Sequence, residues 1–268
     1  MTTTHALEVK SGDRFRFGEN WARFLRNLDG RRVAEAEESL RSMLDVRDLR
    51  GRRFLDIGSG SGLFSLAARR LGAEVRSFDY DPQSVACTEE LRSREFPADP
   101  QWRVEQGSVL DDTFMDGLGT FDVVYSWGVL HHTGDMRRAF ANAASRVAPG
   151  GTLFIAIYND QGWISRYWTI VKRLYNRSVL LRLLMIVIHV PWLLGARWIA
   201  RAITGRLRLE RGMSLWRDMI DWLGGYPFEV ARPEEVFRVF RDAGFDLEEL
   251  KTCGGRMGCN EFVFRRRA

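Results

Sequence analysis

A glycine-rich stretch near residue 60 constrains the fold of this chain more than any other feature. The short apolar run 54–57 contains Asp56, and the segment Gly58-Ser59-Gly60-Ser61-Gly62 follows it directly. Helix-forming residues come next, so the pattern predicts a strand, a tight turn and a helix N-terminus. In doubly wound folds this turn holds nucleotide-like cofactors, because its glycines let a ligand approach the backbone.

The spacing and charge of the turn discriminate between two cofactors. A dinucleotide-binding turn has the spacing Gly-x-Gly-x-x-Gly, but Leu63 stands at the third position here and Gly62 falls one residue early. A carboxylate at Asp56 would oppose a pyrophosphate and favour a cation. S-adenosylmethionine has an ammonium and a sulfonium group and no phosphate, so the pattern favours it over NAD.

A second acid follows at the expected distance. The segment 74–79 has the composition of a strand and ends at Asp79, about twenty residues after the glycines, where an acid accepts hydrogen bonds from ribose hydroxyls. Asp81 and Pro82 then predict the start of a helix, with Asp as its N-cap and Pro in its first turn.

With these residues in place, the chain resembles the class I S-adenosylmethionine-dependent methyltransferases. The resemblance covers about residues 50–160, with a matching tail near 233–266. Within the family, the chain is similar to the small-molecule branch that includes the ubiquinone-pathway O-methyltransferases. The matching segments are Leu55–Gly62, Ser77–Asp79, Phe121–Ser126 with Val129–His132, and Pro149–Gly151.

The resemblance implies a set of S-adenosylmethionine contacts. Relatives often have an acid that binds the adenine amino group where this chain has Ser108, so a hydroxyl and the Val109 backbone N–H are expected there instead. Trp127 is either a face for the sulfonium or part of the core. The complete expected set is Asp56, Gly58, Ser59, Gly60, Gly62, Asp79, Tyr80, Ser108, Val109 and Trp127.

Strand and helix patterns alternate along the middle of the chain and predict an α/β fold, with a parallel sheet covered by helices on both faces. The resemblance implies a doubly wound, seven-stranded Rossmann-like sheet whose last strand is antiparallel beside the fifth. Strands are predicted at 52–57, 74–79, 101–106, 121–127, 151–158, 246–252 and 260–266. Helices are predicted at 61–71, 83–93, 135–147 and 233–243, and a helical run is predicted from about residue 22 to 49.

Four regions follow from this pattern. Residues 51–160 are expected to form the S-adenosylmethionine-binding core, 161–225 a helical insertion, and 226–268 the rest of the sheet. The resemblance implies that the helical segment 1–50 covers the site. The insertion has no charged residue from Leu183 to Ala196 if His189 is neutral, a run of 14 residues. A spanning helix needs about 20, and Pro191 predicts a kink.

Two interpretations of the insertion stay open. Arg182, Arg197 and Arg201 flank the apolar run, and Trp192 and Trp198 lie near its far end. Such a helix suits peripheral membrane contact through 179–201. It equally suits a cap packed on the core or on a second subunit, so the oligomeric state is open and a dimer is possible.

The segment after the fourth strand contains the candidate catalytic residues. His131 or His132 could remove a proton from an acceptor hydroxyl, since imidazole titrates near neutral pH; alternatively, they line the cofactor site or bond to backbone. Tyr158 and Asn159 follow the fifth strand and are expected, with Trp21, to contact substrate. Asp160 suits a helix cap.

Composition narrows the remaining possibilities. The chain has three cysteines at uneven spacing, which argues against a disulfide framework, and no ligand set for a metal is predicted. Residues 1–10 contain no apolar leader, so a cytoplasmic location is expected, and the inner face of the membrane stays open as a location within it. The net charge of +5 comes mostly from scattered arginines, so no nucleic-acid partner is expected.

The sequence therefore predicts methyl transfer to a small-molecule acceptor, most simply a hydroxyl of an apolar, quinone- or lipid-like compound. The alternatives are an RNA or protein methyltransferase, and a non-catalytic assembly protein that keeps the S-adenosylmethionine fold. An NAD-linked oxidoreductase is disfavoured by Leu63 and Asp56.

Overall fold

A seven-stranded sheet forms the centre of the molecule. The structure is a computed structural model that describes residues 4–204, 220 and 222–268, and only the backbone of helix residues 192–194 and 196–204. The strand order is β3-β2-β1-β4-β5-β7-β6, and β7 runs antiparallel to both β5 and β6. The strands are β1 Arg53–Ile57, β2 Glu74–Asp79, β3 Trp102–Gln106, β4 Phe121–Trp127, β5 Val147–Tyr158, β6 Phe245–Lys251 and β7 Cys259–Arg266.

Helices cover both faces of this sheet. A 3₁₀ helix, Leu130–His132, follows β4 and is called here the histidine turn. The described α-helices are α1 Thr4–Ser11, α2 Gly18–Arg26, α3 Gly30–Leu44, α4 Leu63–Arg70, α5 Pro82–Glu95, α6 Asp112–Gly117, α7 Met136–Ser145, α8 Trp163–Arg177, α9 Val179–Thr204 and α10 Pro233–Asp242.

Alternate strand residues point to two hydrophobic cores. Phe54 faces a cluster that includes Leu40 of α3 and Leu66 of α4. Its neighbour Leu55 faces the opposite cluster, which includes Phe140 of α7 and Phe240 of α10. Because successive side chains of a strand point to opposite faces, burial of both neighbours requires helices on both sides of the sheet.

The seven predicted strands are all confirmed, as is the antiparallel last strand beside the fifth. Three details differ. β5 begins at Val147 rather than at 151, the short helices α1 and α6 were not predicted, and the N-terminal helical run is two helices. The division falls at Asp29, whose side chain accepts a hydrogen bond from the Arg32 N–H and starts α3.

Most of the predicted insertion consists of α8 and α9, which pack against each other around a third cluster that includes Trp168, Tyr175 and Met185. The helix α9 continues unbroken through Pro191. The side chains of Trp192 and Trp198, which the membrane interpretation uses, lie outside the described residues. In the part of the chain that is described, no helix combines the length and apolarity needed to cross a bilayer.

Candidate functional site

The glycine loop lies at the carboxyl end of β1, at the same edge as the ends of β2 and β4. The Gly58 and Ser59 N–H groups both donate to the Phe78 carbonyl, at 2.9 and 3.1 Å. A Cβ atom at Gly58 would lie 2.4 Å from Cγ1 of Val129, and one at Gly60 would lie 2.9 Å from Cε2 of Trp21. Both glycines are therefore required by close neighbours as well as by positive φ angles.

Asp79 lies beside this loop at the end of β2. One carboxylate oxygen accepts the Gly60 N–H at 3.0 Å, and the other accepts the Asp81 N–H at 2.9 Å. Burial raises the pKa of Asp79 to about 6 in spite of these bonds. Because a carboxylate oxygen can accept more than one hydrogen bond, the group can also accept from ribose hydroxyls.

Asp56 is placed differently from the expectation that it faces a cation at the sheet edge. Its carboxylate is buried and accepts the Ser65 hydroxyl at 2.5 Å. The Ser65 and Ser77 hydroxyls lie 2.7 Å apart, and Trp102 Nε1 donates to Ser77 at 3.0 Å. Burial raises the pKa of Asp56 to about 7, so this acid belongs to an internal polar chain, and its contact with a cofactor stays a prediction.

A cavity of about 530 Å³ opens beside the ends of β2 and β3. Ligand pockets commonly have about 300–1,000 Å³, so the space fits a nucleoside-sized group. Ser108 Oγ accepts the Leu110 N–H at 3.1 Å, and the Val109 side chain is buried in the core, which leaves only the Val109 backbone for a ligand. Residues that line the cavity include Glu8, Arg14, Tyr80, Ser108, Asp111 and Thr133.

The other expected cofactor residues have packing roles. Trp127 is half-buried against the core cluster that contains Phe54, which fits its core interpretation. Ser59 Oγ lies 2.9 Å from the Thr88 hydroxyl, which holds the loop on α5. Gly62 has φ 81° and is the N-cap residue directly before α4. The glycine loop and Asp79 lie next to Tyr80, which lines the cavity. The expected S-adenosylmethionine contacts, with the glycines below it, Asp79 at its ribose and Tyr80 and Ser108 beside its base, stay predictions.

The two histidines differ in their surroundings. His132 Nδ1 lies 2.5 Å from the Pro227 carbonyl, which can only accept, so Nδ1 carries the proton and Nε2 has the free lone pair when the ring is neutral. Burial lowers the pKa of His132 to about 3. His131 is 0% exposed, and burial holds its pKa well below the usual range. Both rings are therefore neutral near pH 7, and they differ in which nitrogen can accept, because His131 Nδ1 accepts the Tyr158 N–H at 3.4 Å whereas His132 keeps Nε2 as its acceptor. The low pKa makes His132 a weak base, so its candidacy as the base rests on the orientation of Nε2.

The expected substrate residues lie around this turn. The Tyr158 ring centre is 4.1 Å from that of His131, and Trp222 and Phe228 also contact Tyr158. Asn159 has a structural role, because its Oδ1 accepts from Asn260 at 3.1 Å and its Nδ2 donates to the Arg256 carbonyl at 3.4 Å. A substrate contact by Asn159 would have to replace these bonds.

Arg14 and Glu8 line the site but were not predicted. The Arg14 side chain contacts the His132 carbonyl, 118 residues along the chain. The segment 14–17 is basic and aromatic, and nothing in its spacing identifies so distant a partner. Among the described residues, no group of three or more His, Cys, Asp or Glu side chains is arranged to hold a metal.

Comparison with known proteins agrees with this geometry. Residues 22–250 match the family described as a methyltransferase domain, which is most of the chain. The chain therefore belongs to the methyltransferase domain family, and its sheet order and cofactor loop are those of the class I S-adenosylmethionine-dependent methyltransferases.

Curated relatives share part of their length with the chain. It is 29% identical over 203 residues to the ubiquinone biosynthesis O-methyltransferase of Xanthomonas euvesicatoria pv. vesicatoria, covering 76% of this chain and 66% of the relative. It is 37% identical over 111 residues to the protein of that name from Xanthomonas campestris pv. campestris, covering 41% and 45%. The chain thus spans about half the length of the relatives that it matches at the highest identity.

Solved structures share the fold. The magnesium protoporphyrin IX methyltransferase of Synechocystis PCC 6803, solved with bound S-adenosylmethionine, has a TM-score of 0.53 at 11% identity, covering 99% of this chain and 92% of that one. An N-methyltransferase of Bradyrhizobium japonicum WM9, in complex with S-adenosylhomocysteine, has a TM-score of 0.54 at 16% identity, covering 95% and 100%. At these identities the likeness establishes the fold alone.

Proposed function

We propose that this chain is an S-adenosylmethionine-dependent methyltransferase that acts on a hydroxyl of a small, apolar, quinone- or lipid-like acceptor. One observation carries the proposal: the glycine loop and Asp79 lie together at one edge of the sheet, and the residues that follow Asp79 and the histidine turn, Tyr80 and Thr133, line a cavity of about 530 Å³ beside them. The curated relatives, named for O-methylation in ubiquinone biosynthesis, support the acceptor class.

The cofactor, when bound, supplies an electrophilic methyl group on a sulfonium. Gly58 and Gly60 allow close approach to the backbone, and Asp79 accepts hydrogen bonds from the ribose. Trp21 lies on Gly60 and helps to exclude water. His132 Nε2 is the free imidazole nitrogen and takes the proton from the acceptor hydroxyl as the new bond forms.

The first test follows the methyl label and the base together. Purified protein, methyl-labelled S-adenosylmethionine and a cell extract are incubated, and label is counted in the organic phase, the aqueous fraction and the precipitate. We expect organic label from the wild type and a loss of about 10²–10⁴-fold in His132→Gln, the usual contribution of a general base.

The outcomes separate the alternatives. Label in the precipitate would indicate an RNA or protein methyltransferase instead. Label in the aqueous fraction would show that the acceptor is not apolar. Absence of any transfer, with S-adenosylmethionine bound, would favour the non-catalytic assembly protein. Full turnover by His132→Gln would show that His132 is not the base, although the protein is a methyltransferase.

We further propose that α8 and α9 rest on an anionic lipid surface, at the inner face of the membrane, where an apolar acceptor is dissolved. On α9, exposed apolar side chains recur at helical spacing, with Leu180 80% and Val187 68% exposed. On α8, Trp163 and Ile170 are also exposed. A stripe of this kind suits the interfacial region of a bilayer.

The charge of α8 and α9 supports an anionic lipid surface as the partner of these helices. Residues 161–209 contain no Asp or Glu. Among the side chains of α8 and α9 that the structure describes, four exposed arginines are present, namely Arg166, Arg173, Arg177 and Arg182. Each basic residue near an anionic bilayer contributes about 1 kcal/mol of attraction.

Liposome flotation tests this surface. We expect the wild type to float with vesicles of phosphatidylglycerol and phosphatidylcholine and to stay behind with phosphatidylcholine alone. Leu183→Glu with Val187→Glu should abolish flotation, because two charges would enter the apolar layer. Leu250→Glu is the matched control, since Leu250 is 38% exposed on β6, far from these helices in the sequence.

Two results would contradict the membrane surface. One is the absence of wild-type flotation with the anionic vesicles. The other is a dimer in light scattering that dissociates in the Leu183→Glu, Val187→Glu variant, which would assign the stripe to a second copy of the chain.

A further inference from the structure

Arg14 lies in the wall of the cofactor cavity. Its Nε donates to Glu8 Oε2 at 2.6 Å, and Tyr80 Oη donates to Glu8 Oε1 at 3.1 Å. The guanidinium carbon lies 4.7 Å from the centre of the Tyr80 ring. Glu8, Arg14 and Tyr80 all line the cavity, so these contacts form one of its sides.

The same guanidinium also holds the histidine turn. Nη1 donates to the His132 carbonyl at 3.0 Å, and Nη2 donates to the Thr133 carbonyl at 3.5 Å. Carbonyl groups at the end of a helix have no partner within the helix, and the planar fork of arginine can bond two of them at once. Among the described contacts, Arg14 is the one side chain that both lines the cavity and bonds to the main chain of His132.

The contacts of the His132 ring are different from the contact that Arg14 makes with its backbone. The Pro227 carbonyl fixes Nδ1, and the Phe17 ring centre lies 5.0 Å from the imidazole. Both Pro227 and Phe17 contact the ring itself, whereas Arg14 holds the backbone that carries the ring. The Arg14 side chain is only 16% exposed, so its charge-assisted bonds are partly shielded from water.

We propose that Arg14 is a positioning residue that sets His132 relative to the cofactor and transmits occupancy of the cavity to the histidine turn. The inference rests on the proposed function, in which His132 Nε2 accepts the proton. A ligand that contacts Tyr80 or Arg14 shifts the guanidinium, and the two carbonyl bonds carry that shift to His132.

Arg16 offers a matched control. It carries the same charge two residues away, is 62% exposed and pairs with Glu19 at 3.3 Å. Arg16→Gln therefore changes the net charge by the same amount as Arg14→Gln without touching the cavity or the turn.

The experiment uses the full chain, S-adenosylhomocysteine as the probe, and two independent readouts. Calorimetry gives the dissociation constant, and NMR of the imidazole nitrogens, assigned with His132→Gln, reports the position of the ring. In the wild type and Arg16→Gln, we expect the probe to shift the His132 signals. In Arg14→Gln, we expect binding within about tenfold of the wild type but no such shift.

Turnover supplies the third readout. At saturating S-adenosylmethionine, the label transferred by Arg14→Gln should fall about 10–100-fold, because a small misplacement of a reacting group has an effect of this size. Arg14→Lys keeps the charge but loses the planar guanidinium. The label that it transfers should lie between that of the wild type and that of Arg14→Gln. A shift of the His132 signals that persists in Arg14→Gln would overturn the proposal.

A merely structural role predicts a different pattern. Thermal stability, probe affinity and turnover would then fall together, which would also overturn the proposal. If Arg14→Gln does not fold, Arg14→Lys is judged by the same criteria.

Failure of the proposed function is recognised separately, by full turnover in His132→Gln. If S-adenosylhomocysteine does not shift the His132 signals of the wild type, the inference about Arg14 is wrong and the proposed function is unaffected.

Discussion

Asp79 and Asp56 show that two acids near the ends of neighbouring strands can have different roles. The Asp79 carboxylate accepts hydrogen bonds from the backbone N–H groups of Gly60 and Asp81, so its oxygens are directed at the loop where the cofactor is expected. Asp56 bonds to the Ser65 hydroxyl inside the molecule. Both acids were predicted as cofactor residues from their positions after two strands, but only the side-chain directions distinguish them.

The Asp79→Asn variant tests the ribose contact. We expect S-adenosylmethionine affinity to fall by about tenfold or more, because hydrogen bonds to a charged acceptor contribute roughly 1.5–3 kcal/mol. Asparagine keeps the size and one acceptor oxygen, so the fold should persist. Calorimetry measures the affinity and circular dichroism checks the fold; unchanged affinity in a folded variant would remove the ribose role.

At the scale of the element, helix starts connect the cofactor core to the N-terminal segment. Asp81 is the N-cap of α5 and accepts the Gln83 N–H, as its sequence position predicted. The same carboxylate also accepts the Gly18 N–H at 2.8 Å, at the start of α2. One side chain therefore caps one helix and anchors another, and the second role has no signal in the local sequence.

The Asp81→Ala variant should consequently lose more stability than an ordinary cap variant. Loss of an N-cap costs about 1 kcal/mol, and a buried N–H left without a partner adds about 1–3 kcal/mol. Asp135→Ala is the control, because Asp135 caps α7 by accepting only the Arg138 N–H in its cap role. Urea unfolding compares the two, and equal losses would contradict the anchoring role.

At the scale of the whole molecule, the stability should depend on pH through the internal polar chain. The pKa of Asp56 is raised from 3.8 to about 7 by burial, so the folded protein binds its proton more tightly than the unfolded chain does. The stabilising effect of that proton is fully present below about pH 4 and is lost as pH rises through about 7. Asp79, with its pKa raised to about 6, acts in the same direction.

Asp56→Asn isolates this contribution. Since one pKa unit corresponds to about 1.4 kcal/mol, the ligand-free wild type should lose on the order of a few kcal/mol from Asp56 between about pH 4 and pH 7. The amide resembles the protonated acid, so the variant should show a smaller decline. The melting temperature is measured as a function of pH across this range, with Asp48→Asn as an exposed control. Parallel curves of melting temperature against pH for the wild type and Asp56→Asn would show that Asp56 does not cause the pH dependence.

Local pattern was sufficient for the framework of the molecule. The strands, the glycine turn and the cap at Asp81 depend on residues that are close in sequence, because strand period, positive φ and N-cap bonds are local properties. Asp79 was placed correctly at the edge because parallel strands end together. These features determined the fold and the edge of the sheet at which the cofactor is expected.

Tertiary structure alone decided how the site is completed. The contact of Arg14 with the histidine turn, the Pro227 carbonyl on His132 and the bond from Ser65 to Asp56 depend on side-chain directions. Two of these contacts join residues about a hundred positions apart. Sequence therefore determined which groups are available at the edge of the sheet, and packing determined which one faces the ligand, because burial and hydrogen-bond direction are properties of the folded chain.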